Sequence, residues 1–361
     1  MSRKLAHIEK IEWIKPIEGK DKIVLAGVLG WSVIVQKSEY SVGDSVVFCE
    51  IDSVLPEKPE FEFLRSKKFH IKTMKMGGVV SQGICFPLSV LPSKNYNIGD
   101  DVTDVLGVTQ YEPTMDYERD GKCVRNTKRK YPRFLMRFKL FRQLASNKKA
   151  KDGFPAFVAK TDETRIQNAP FYLDMDCDFV ATEKIDGQSG TFTLEKLKKR
   201  FFWEKDRFDF AVCSRNRRIW EEDDSSFWQV AHKYNIRNVL EKLIGDNDWV
   251  AIQGECVAPK VQGNKYKVTE PDLYVFNLIY PTGRIGSLLA KESIESYGLK
   301  FVPIIDSTIV LKGMSVDDVL KYSTGKSQLY DTLREGIVFR SQKGTLSFKA
   351  VSPEFLLAHG E

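Results

Sequence analysis

The sequence lacks the paired cysteines and clustered histidines that many metal and disulfide sites need. Its 361 residues include six cysteines, none in a CxxC pair, and only four histidines. Scattered single cysteines in a cytosolic chain are usually buried small hydrophobic residues, so we expect no zinc site and no disulfide framework. The histidines show neither metal-ligand spacing nor a Ser-His-Asp pattern. These residues are Cys49, Cys85, Cys123, Cys177, Cys213 and Cys256, and His7, His70, His232 and His359.

The chain also lacks any apolar run close to the roughly 20 residues that a bilayer span requires. Its first residues, Met1 to Glu9, are too polar for a signal peptide. We therefore expect an intracellular, cytoplasmic protein without membrane contact. An apolar content of 42% and a charged content of 29% are typical of globular proteins, and the length favours two domains.

Positive charge is concentrated in one short segment. Residues 117–151 hold thirteen Lys or Arg against two acids, Glu118 and Asp120, which is an excess of eleven. Because the formal net charge of the whole chain is +6, the remaining residues together must be acidic. A local basic excess of this kind favours contact with a polyanion such as nucleic acid.

The N-terminal residues predict a small β-barrel. Residues 23–28, 31–35 and 45–49 are rich in β-formers and separated by turn residues, and a weaker run follows at 78–86. Many short strands without a long amphipathic helix are typical of an OB-type barrel, which we assign to residues 1–110. Such a barrel can bind oligonucleotides or serve only as a structural platform, and the pattern leaves both readings open.

Residues 111–155 predict a basic connector. Within it, residues 132–142 can form one amphipathic helix that begins at Pro132 and places three phenylalanines on one face. This helix can pack on a neighbouring domain with its charges in solvent, or it can follow phosphates along a nucleic acid. The pattern favours neither reading over the other.

The remaining residues, 156–361, predict a mixed α+β domain. The chain here alternates β-rich segments with a few helices. The clearest helix covers residues 226–244, with Asp224 and Ser225 as cap candidates.

The strongest chemical signal is Lys184, in the segment Glu183-Lys184-Ile185-Asp186-Gly187 between two strand-like runs. A glycine three residues after the lysine lets the backbone turn tightly and approach a ligand. To attack phosphorus, the amine must lose a proton although its ordinary pKa is about 10.4. Burial and nearby positive charge, including a metal ion, can lower that pKa. An exposed Lys-Asp pair in a turn is the ordinary alternative.

An ordered set of downstream residues supports the chemical interpretation. Arg215 follows a strand and can reach a ribose or phosphate, Glu255 ends a buried-strand pattern, and Phe276 lies in a strand whose aromatics can stack on a base. Glu335 precedes a glycine and a strand, and Lys349 lies in a strand context near the C-terminus. Each feature alone is more often structural, whereas the set in this order indicates catalysis.

In this order, the motifs KxDG, SR, GE, an aromatic FN strand, EGIV and a final lysine resemble the six motifs of the covalent nucleotidyltransferases. That superfamily comprises DNA ligases, RNA ligases and mRNA capping enzymes. An OB-like domain placed before the catalytic domain resembles the fifth RNA ligase family. The resemblance implies an α+β chain whose residues 156–361 form a nucleotidyltransferase domain, ATP-grasp-like with two antiparallel sheets. Residues 160–168 resemble a further element of that family, which implies a role for Arg165 near the nucleotide or the RNA 5′ end.

The resemblance also implies a mechanism. Lys184 attacks the α-phosphorus of ATP, the AMP passes to an RNA 5′-phosphate, and a 3′-hydroxyl then displaces it to seal the strand. The implied cofactors are ATP and Mg²⁺ or Mn²⁺, the partner is RNA, and the implied role is RNA repair. The sequence leaves the oligomeric state open, and we expect a monomer by default. The implied catalytic residues are Lys184, Asp186, Glu335 and Lys349; the nucleotide contacts are Glu183, Arg165, Arg215, Glu255, Phe276 and Lys349; the metal-site residues, acting largely through waters, are Asp186, Glu255 and Glu335.

Two residues depart from the family pattern, and two alternatives stay open. Ser189 stands where related enzymes often carry Arg or Asn, and Ser347 stands where many of them carry Lys. A capping guanylyltransferase or a DNA ligase is the alternative within the superfamily, because the motifs do not distinguish ATP from GTP. A non-catalytic RNA-binding protein is the alternative from another class, and it predicts salt-sensitive RNA affinity without a covalent nucleotide adduct.

Overall fold

A computed structural model describes residues 3–92, 95–111, 153–197, 203, 206–223 and 225–360. The predicted helix at 132–142 lies outside these residues. Within the described residues, no helix has the length and apolar character needed to cross a membrane.

The N-terminal region is built from short strands. Its helical segments are α1 (Thr103–Leu106) and two 3₁₀ turns (Pro59–Lys67 and Leu88–Val90). Its strands are β1 (Ala6–Lys10), β2 (Trp13–Ile17), β3 (Lys20–Val28), β4 (Trp31–Gln36), β5 (Ser45–Cys49), β6 (Ser53–Val54), β7 (Met74–Met76), β8 (Val79–Ser81), β9 (Ile84–Pro87) and β10 (Thr109–Gln110).

All strand pairs of this region are antiparallel. The orders are β1-β5-β9 and β2-β3-β4, with two-stranded pairs β10-β6 and β7-β8. Alternate residues of β4, namely Trp31, Val33 and Val35, are buried in one hydrophobic core, as the period of two in a strand requires. The predicted all-β character of the N-terminal region is thus confirmed.

The C-terminal region contains two larger sheets. One has the order β19-β11-β20-β21, and the other has the order β14-β13-β12-β15-β16-β17 with β18 parallel to β16. The strands are β11 (Asp178–Lys184), β12 (Gln188–Leu197), β13 (Arg207–Cys213), β14 (Arg218–Ile219), β15 (Trp249–Val257), β16 (Asp272–Tyr280), β17 (Gly283–Arg284), β18 (Lys300–Phe301), β19 (Ile304–Val310), β20 (Gly336–Ser341) and β21 (Ser347–Val351).

The helices of this region are short. They are α2 (Ser226–Lys233), α3 (Ile236–Leu243), α4 (Ser287–Ser296), α5 (Val316–Ser323) and α6 (Pro353–His359), with 3₁₀ turns at Ile166–Asn168, Pro170–Asp174, Glu221–Asp223 and Gln262–Asn264.

The helix predicted at 226–244 is broken in two, so the prediction of one continuous helix was wrong. Ser225 caps α2 by accepting a hydrogen bond from the backbone N–H of Trp228, as predicted, whereas Asp224 lies outside the described residues. Asn235 adopts a left-handed conformation with φ 46° and ends the first helix. The break lets both helices bury apolar residues, such as Val230 and Leu240, in the core beside the seven-stranded sheet.

One face of the four-stranded sheet packs in an apolar core, and the other turns toward the seven-stranded sheet, where Arg340 lies 5.6 Å from the ring of Phe276. The space between the two sheets is called the cleft below. Phe179, Phe339 and Phe348 pack together on one face in an apolar core. Residues that alternate with them face the other way, and the register aligns Thr182, Val338 and Lys349 across three strands. The side chains of this second face therefore lie on the same side of the sheet as Lys184, the last residue of β11.

The two regions pack directly against each other. Phe355 and Leu356 of α6 are buried in the core of the N-terminal region. The N–H of Gly30 also donates to the carbonyl of Gln167 at 2.9 Å. A side chain at residue 30 would meet the backbone of Gln167 at 2.7 Å, so this approach requires glycine.

Candidate functional site

Lys184 lies at the last position of β11, opposite Gly336 at the start of β20. Its Nζ donates to Oε2 of Glu335 at 2.6 Å. Gly336 directly follows Glu335, and a Cβ at Gly336 would meet the carbonyl oxygen of Ala350 at 2.2 Å. Strand pairing therefore brings together the lysine and the acid that the sequence had placed 151 residues apart.

Three carboxylates surround the amine of Lys184. Burial by itself would lower the pKa of Lys184, but the charges of Glu335, Glu255 and Asp186 outweigh burial and raise that pKa above its ordinary value. Lys184 is therefore protonated without substrate. The sequence analysis expected a lowered pKa for Lys184, whereas the three carboxylates have the opposite effect. Lowering that pKa requires additional positive charge beside the amine, such as that of a metal ion.

Glu255 lies on β15 and contacts the turn that follows Lys184. Its Oε1 accepts a hydrogen bond from the N–H of Gly187 at 3.1 Å. A Cβ at Gly187 would meet the carbonyl oxygen of Cys256 at 2.6 Å, which explains the glycine of the KxDG motif. Burial raises the pKa of Glu255 to about 8, and the nearby carboxylates of Glu335 and Asp186 add to the rise.

Asp186 has a partner that the sequence did not reveal. Its Oδ2 accepts from Nζ of Lys265 at 2.6 Å, and both side chains are nearly buried. The backbone N–H of Asp186 donates to the hydroxyl of Tyr266 at 2.6 Å. Lys265 follows the turn Gln262–Asn264, in which both named residues have positive φ, a conformation that costs free energy in non-glycine residues. No sequence motif marks this loop.

Lys349 faces the cleft from β21 and binds an acid from the segment before β11. Its Nζ donates to Oδ1 of Asp162 at 3.1 Å, and Oδ2 of the same carboxylate pairs with Arg215 at 2.9 Å. Asp162 thus joins two predicted site residues. Burial lowers the pKa of Lys349 to about 8 despite Asp162, and the charges of Arg165, Lys184 and Arg3 act in the same direction.

Arg165 lies next to Lys349 and is almost completely buried. The N–H of Lys349 donates to the carbonyl of Thr164 at 2.8 Å, which holds the two segments side by side. The Arg165 guanidinium donates to Oδ2 of Asp52, a residue of the N-terminal region, at 2.9 Å. The structure therefore places Arg165 beside Lys349, between the two regions.

Phe276 contacts the cleft from the seven-stranded sheet. The ring is half-buried, and the guanidinium carbon of Arg340 lies 5.6 Å from its centroid. Arg340 belongs to the four-stranded sheet and also donates to Oγ1 of Thr182 at 3.1 Å. Phe276 and Arg340 therefore bridge the two sheets across the cleft.

Glu183 is the expected nucleotide contact that the structure directs away from Lys184. Neighbouring residues of a strand point to opposite faces. Oε2 of Glu183 accepts from the N–H of Gln328 at 2.8 Å, and its Oε1 has no partner among the described residues.

The two serines that depart from the family pattern contact residues of the segment before β11. Ser347 donates to Oε2 of Glu163 and accepts from Arg284, at 2.5 and 2.9 Å. Ser189 hydrogen-bonds with Thr161 at 2.5 Å.

The carboxylates around Lys184 fit a hydrated divalent cation. Carboxylate oxygens are the ligands that Mg²⁺ prefers, and Mg²⁺ usually retains several waters. Glu255 and its acidic neighbours form a cluster of like charges that a cation would relieve. Within the described ranges, no group of three or more acidic, histidine or cysteine side chains is placed to coordinate a metal directly.

Comparisons with known proteins match both regions of the chain. Residues 5–88 match a model of an OB-fold domain, and residues 178–351 match the RNA ligase family model. These matches confirm the predicted fold class. No curated protein sequence matches the chain.

Solved structures of a Naegleria gruberi RNA ligase are similar over the whole chain. The form with PPi has a TM-score of 0.82 at 27% identity and covers 99% of each chain. A variant with ATP and Mn has a TM-score of 0.81 at 27% identity, over 99% of this chain and all of that chain. A variant with AMP and Mn gives 0.81, 27% and 99% of each chain.

Proposed function

Because this chain belongs to the RNA ligases of the covalent nucleotidyltransferase superfamily, we propose that it seals RNA ends with ATP through a lysyl-AMP intermediate on Lys184. The observation that carries this proposal is the placement of Lys184 at a strand end against Glu335, with Lys349 facing the same cleft. The Naegleria relatives solved with ATP, AMP and Mn support the choice of nucleotide and metal.

In the first step, Nζ of Lys184 forms a bond to the α-phosphorus of ATP, and the bond from that phosphorus to the bridging oxygen breaks to release pyrophosphate. Glu335 orients the amine, since it already accepts its hydrogen bond at 2.6 Å. Lys349 and Arg215 supply positive charge, which phosphoryl transfer requires more than any other contribution. When bound, a divalent cation neutralises phosphate charge and lowers the pKa of the amine.

In the later steps, the adenylate moves to an RNA 5′-phosphate, which restores free Lys184, and an RNA 3′-hydroxyl then displaces AMP. Asp186, Glu255 and Glu335 would hold Mg²⁺ or Mn²⁺ through waters. Phe276 would stack on the adenine, and Arg165 would contact a phosphate. The 3′-hydroxyl and 5′-phosphate ends of the proposed substrate are those of an RNA repair reaction.

We further propose a division of labour along the chain. Residues 1–110 form the OB domain that contacts RNA, residues 111–155 form the basic connector, and residues 156–361 carry the adenylation chemistry. The excess of eleven positive charges within 117–151 supports RNA contact by the connector. We propose that the protein acts as a monomer.

Intact mass after incubation with ATP and magnesium tests the proposal. We expect a gain of one AMP, lost again when nicked duplex RNA with a 5′-phosphate is added. GTP and nicked DNA in separate reactions distinguish a capping enzyme and a DNA ligase. Lys184→Ala should abolish the gain, whereas Lys321→Ala, at an exposed position on α5, should retain it. A wild-type protein that never gains AMP would refute the proposal and favour a non-catalytic RNA-binding protein.

A further inference from the structure

One loop of the C-terminal region holds Asp186 at two points. Nζ of Lys265 donates to the Asp186 carboxylate at 2.6 Å, and the hydroxyl of the next residue, Tyr266, accepts from the backbone N–H of Asp186 at 2.6 Å. Asn264 closes this loop, because its side-chain amide forms hydrogen bonds of 2.9 and 3.0 Å with the backbone of Val268. The loop therefore presents Lys265 and Tyr266 to Asp186 in fixed positions.

Lys265 has a second contact, which comes from the C-terminal helix α6. Its Nζ lies over the ring of Phe355, 4.9 Å from the ring centroid. The face of an aromatic ring carries partial negative charge, so it attracts an ammonium group at this distance, most strongly where both groups are withdrawn from water. Here Phe355 is fully buried, and the Lys265 side chain is only 13% exposed. The ring therefore stabilises the position of the amine that pairs with Asp186.

Phe355 belongs at the same time to the core of the N-terminal region. Its side chain is buried there together with Leu356 and with Val351, the last residue of β21. The chain thus runs from Lys349, which faces the cleft, directly into the N-terminal core. Because the ring of Phe355 lies in that core and also contacts Lys265, it connects the N-terminal region with the carboxylates around Lys184.

The first turn of α6 is attached beside Glu335. The N–H of Ser352, which caps the helix, donates to the carbonyl of Glu335 at 2.8 Å. The hydroxyl of this buried serine accepts from the N–H of Phe355 at 3.2 Å and hydrogen-bonds with the hydroxyl of Thr324 at 3.0 Å. The backbone of Phe355 is therefore fixed relative to the acid that contacts Lys184.

We propose that Phe355 is a positioning residue for adenylation: its ring, held in the N-terminal core, fixes the Lys265 ammonium, and Lys265 in turn orients the carboxylate of Asp186. Phe355 acts through Lys265 and not by contact with the nucleotide. Docking of the N-terminal region on α6 thereby helps to assemble the carboxylates of the site. The inference rests on the proposed function, because it concerns the rate of the lysyl-AMP step.

Phe355→Leu tests the proposal, because leucine keeps an apolar side chain in the core but has no aromatic face. The rate constant of lysyl-AMP formation is measured in a single turnover at saturating ATP and magnesium. We expect it to fall about fivefold, as the loss of a cation–π contact between groups withdrawn from water predicts. Unfolded protein lowers the amplitude of labelling and not its rate constant, so a folding defect is recognised separately. Phe355→Tyr keeps the ring face and should retain about half of the wild-type rate or more.

Leu356→Val is the matched control for packing in the same core. Leu356 is buried there as well, but neighbouring residues of a helix point about 100° apart, so its side chain leaves α6 in another direction than the ring of Phe355. Both Leu356→Val and Phe355→Leu should unfold at a lower temperature than wild-type protein. Only Phe355→Leu should have a lower rate constant, and an equal fall in Leu356→Val would overturn the inference in favour of core packing.

The double variant tests whether Phe355 acts through Lys265. Lys265→Met alone should slow the step about tenfold, and adding Phe355→Leu should change that rate by less than about twofold, because residues that share one contact are not additive. Multiplied effects in the double variant, a wild-type rate constant in Phe355→Leu, or an equal loss in folded Phe355→Tyr would overturn the inference. Failure of the proposed function has a different signature, since wild-type protein would then form no lysyl-AMP.

Discussion

Lys184 and Lys349 face the same cleft from strands separated only by β20, yet their surroundings differ in charge. Around Lys184 lie three carboxylates, which raise the pKa of the amine although burial lowers it. Lys349 has one carboxylate partner, Asp162, but burial still lowers its pKa to about 8, and Arg165, Lys184 and Arg3 act in the same direction. The end of the cleft at Lys184, called the acidic end below, suits a cation, and the end at Lys349, called the cationic end, suits an anion. A nucleotide with its metal is therefore complementary to both ends.

The largest expected effect is at the acidic end. Glu335→Gln removes the charge that orients Lys184, and we expect lysyl-AMP formation to fall at least about 100-fold, the scale of a lost preorganised electrostatic contact. Single-turnover labelling with ATP measures this rate. Glu354→Gln, on the exposed side of α6, is the control and should label normally. Normal labelling of Glu335→Gln would show that the charge of Glu335 has no role in adenylation.

At the cationic end we expect a pH effect. Because the pKa of Lys349 is lowered to about 8, its amine loses its charge as pH rises through that value. The kcat/KM for adenylation, which reports the free enzyme, should therefore show an alkaline limb that bends downward above pH 8, against the gain that deprotonation of Lys184 gives over the same range. Lys349→Arg should be less active but should lose this alkaline limb, because a guanidinium stays protonated. An unchanged limb in Lys349→Arg would assign it to another group. Lys349→Met should lose about 100-fold at neutral pH.

A smaller effect is expected when Asp186 loses its partner. Lys265→Met removes the ion pair of 2.6 Å, so Asp186 is less well oriented, and adenylation should slow about tenfold. Removing a positive charge from the acidic end should also lower the magnesium concentration needed for half-maximal rate. Lys267→Met is the matched control in the same loop, since Lys267 is exposed. A higher magnesium requirement in Lys265→Met would contradict this account.

The smallest effect is expected between the two ends. Phe276→Ala removes the proposed stacking surface, and the KM for ATP should rise several-fold, up to about tenfold, with kcat little changed. Phe276→Tyr keeps the ring and should restore the affinity. A fall in kcat without a change in KM would show that Phe276 supports the sheet packing and not the base.

The residues that sequence reasoning found share one property: each lies in a strand or directly beside one, within a short local pattern. Lys184, Glu255, Glu335 and Lys349 could be placed in one site because their motifs follow one another in the order typical of the covalent nucleotidyltransferases. Asp186 and Gly187 followed from the same pattern. The alternation of a strand also predicts that Glu183 points away from Lys184, a consequence that the motif-based reasoning did not use.

The residues it missed depend on contacts between distant segments. Asp162 lies within a stretch that resembled a family element, but its bridge between Lys349 and Arg215 exists only after three segments pack. Lys265 and Asp52 lie outside every motif and act through partners 79 and 113 residues away. The break between α2 and α3 depends on one left-handed asparagine, which hydrophobic periodicity does not detect.

The central claim is that Lys184 carries the adenylate, and peptide mapping by tandem mass spectrometry tests it most directly. Protein incubated with ATP and magnesium is digested under conditions that preserve the phosphorus–nitrogen bond, and the modified residue is located by fragmentation. We predict a single adenylate on Lys184, released by nicked RNA with a 5′-phosphate. An adenylate on another lysine, such as Lys265 or Lys349, would contradict the account.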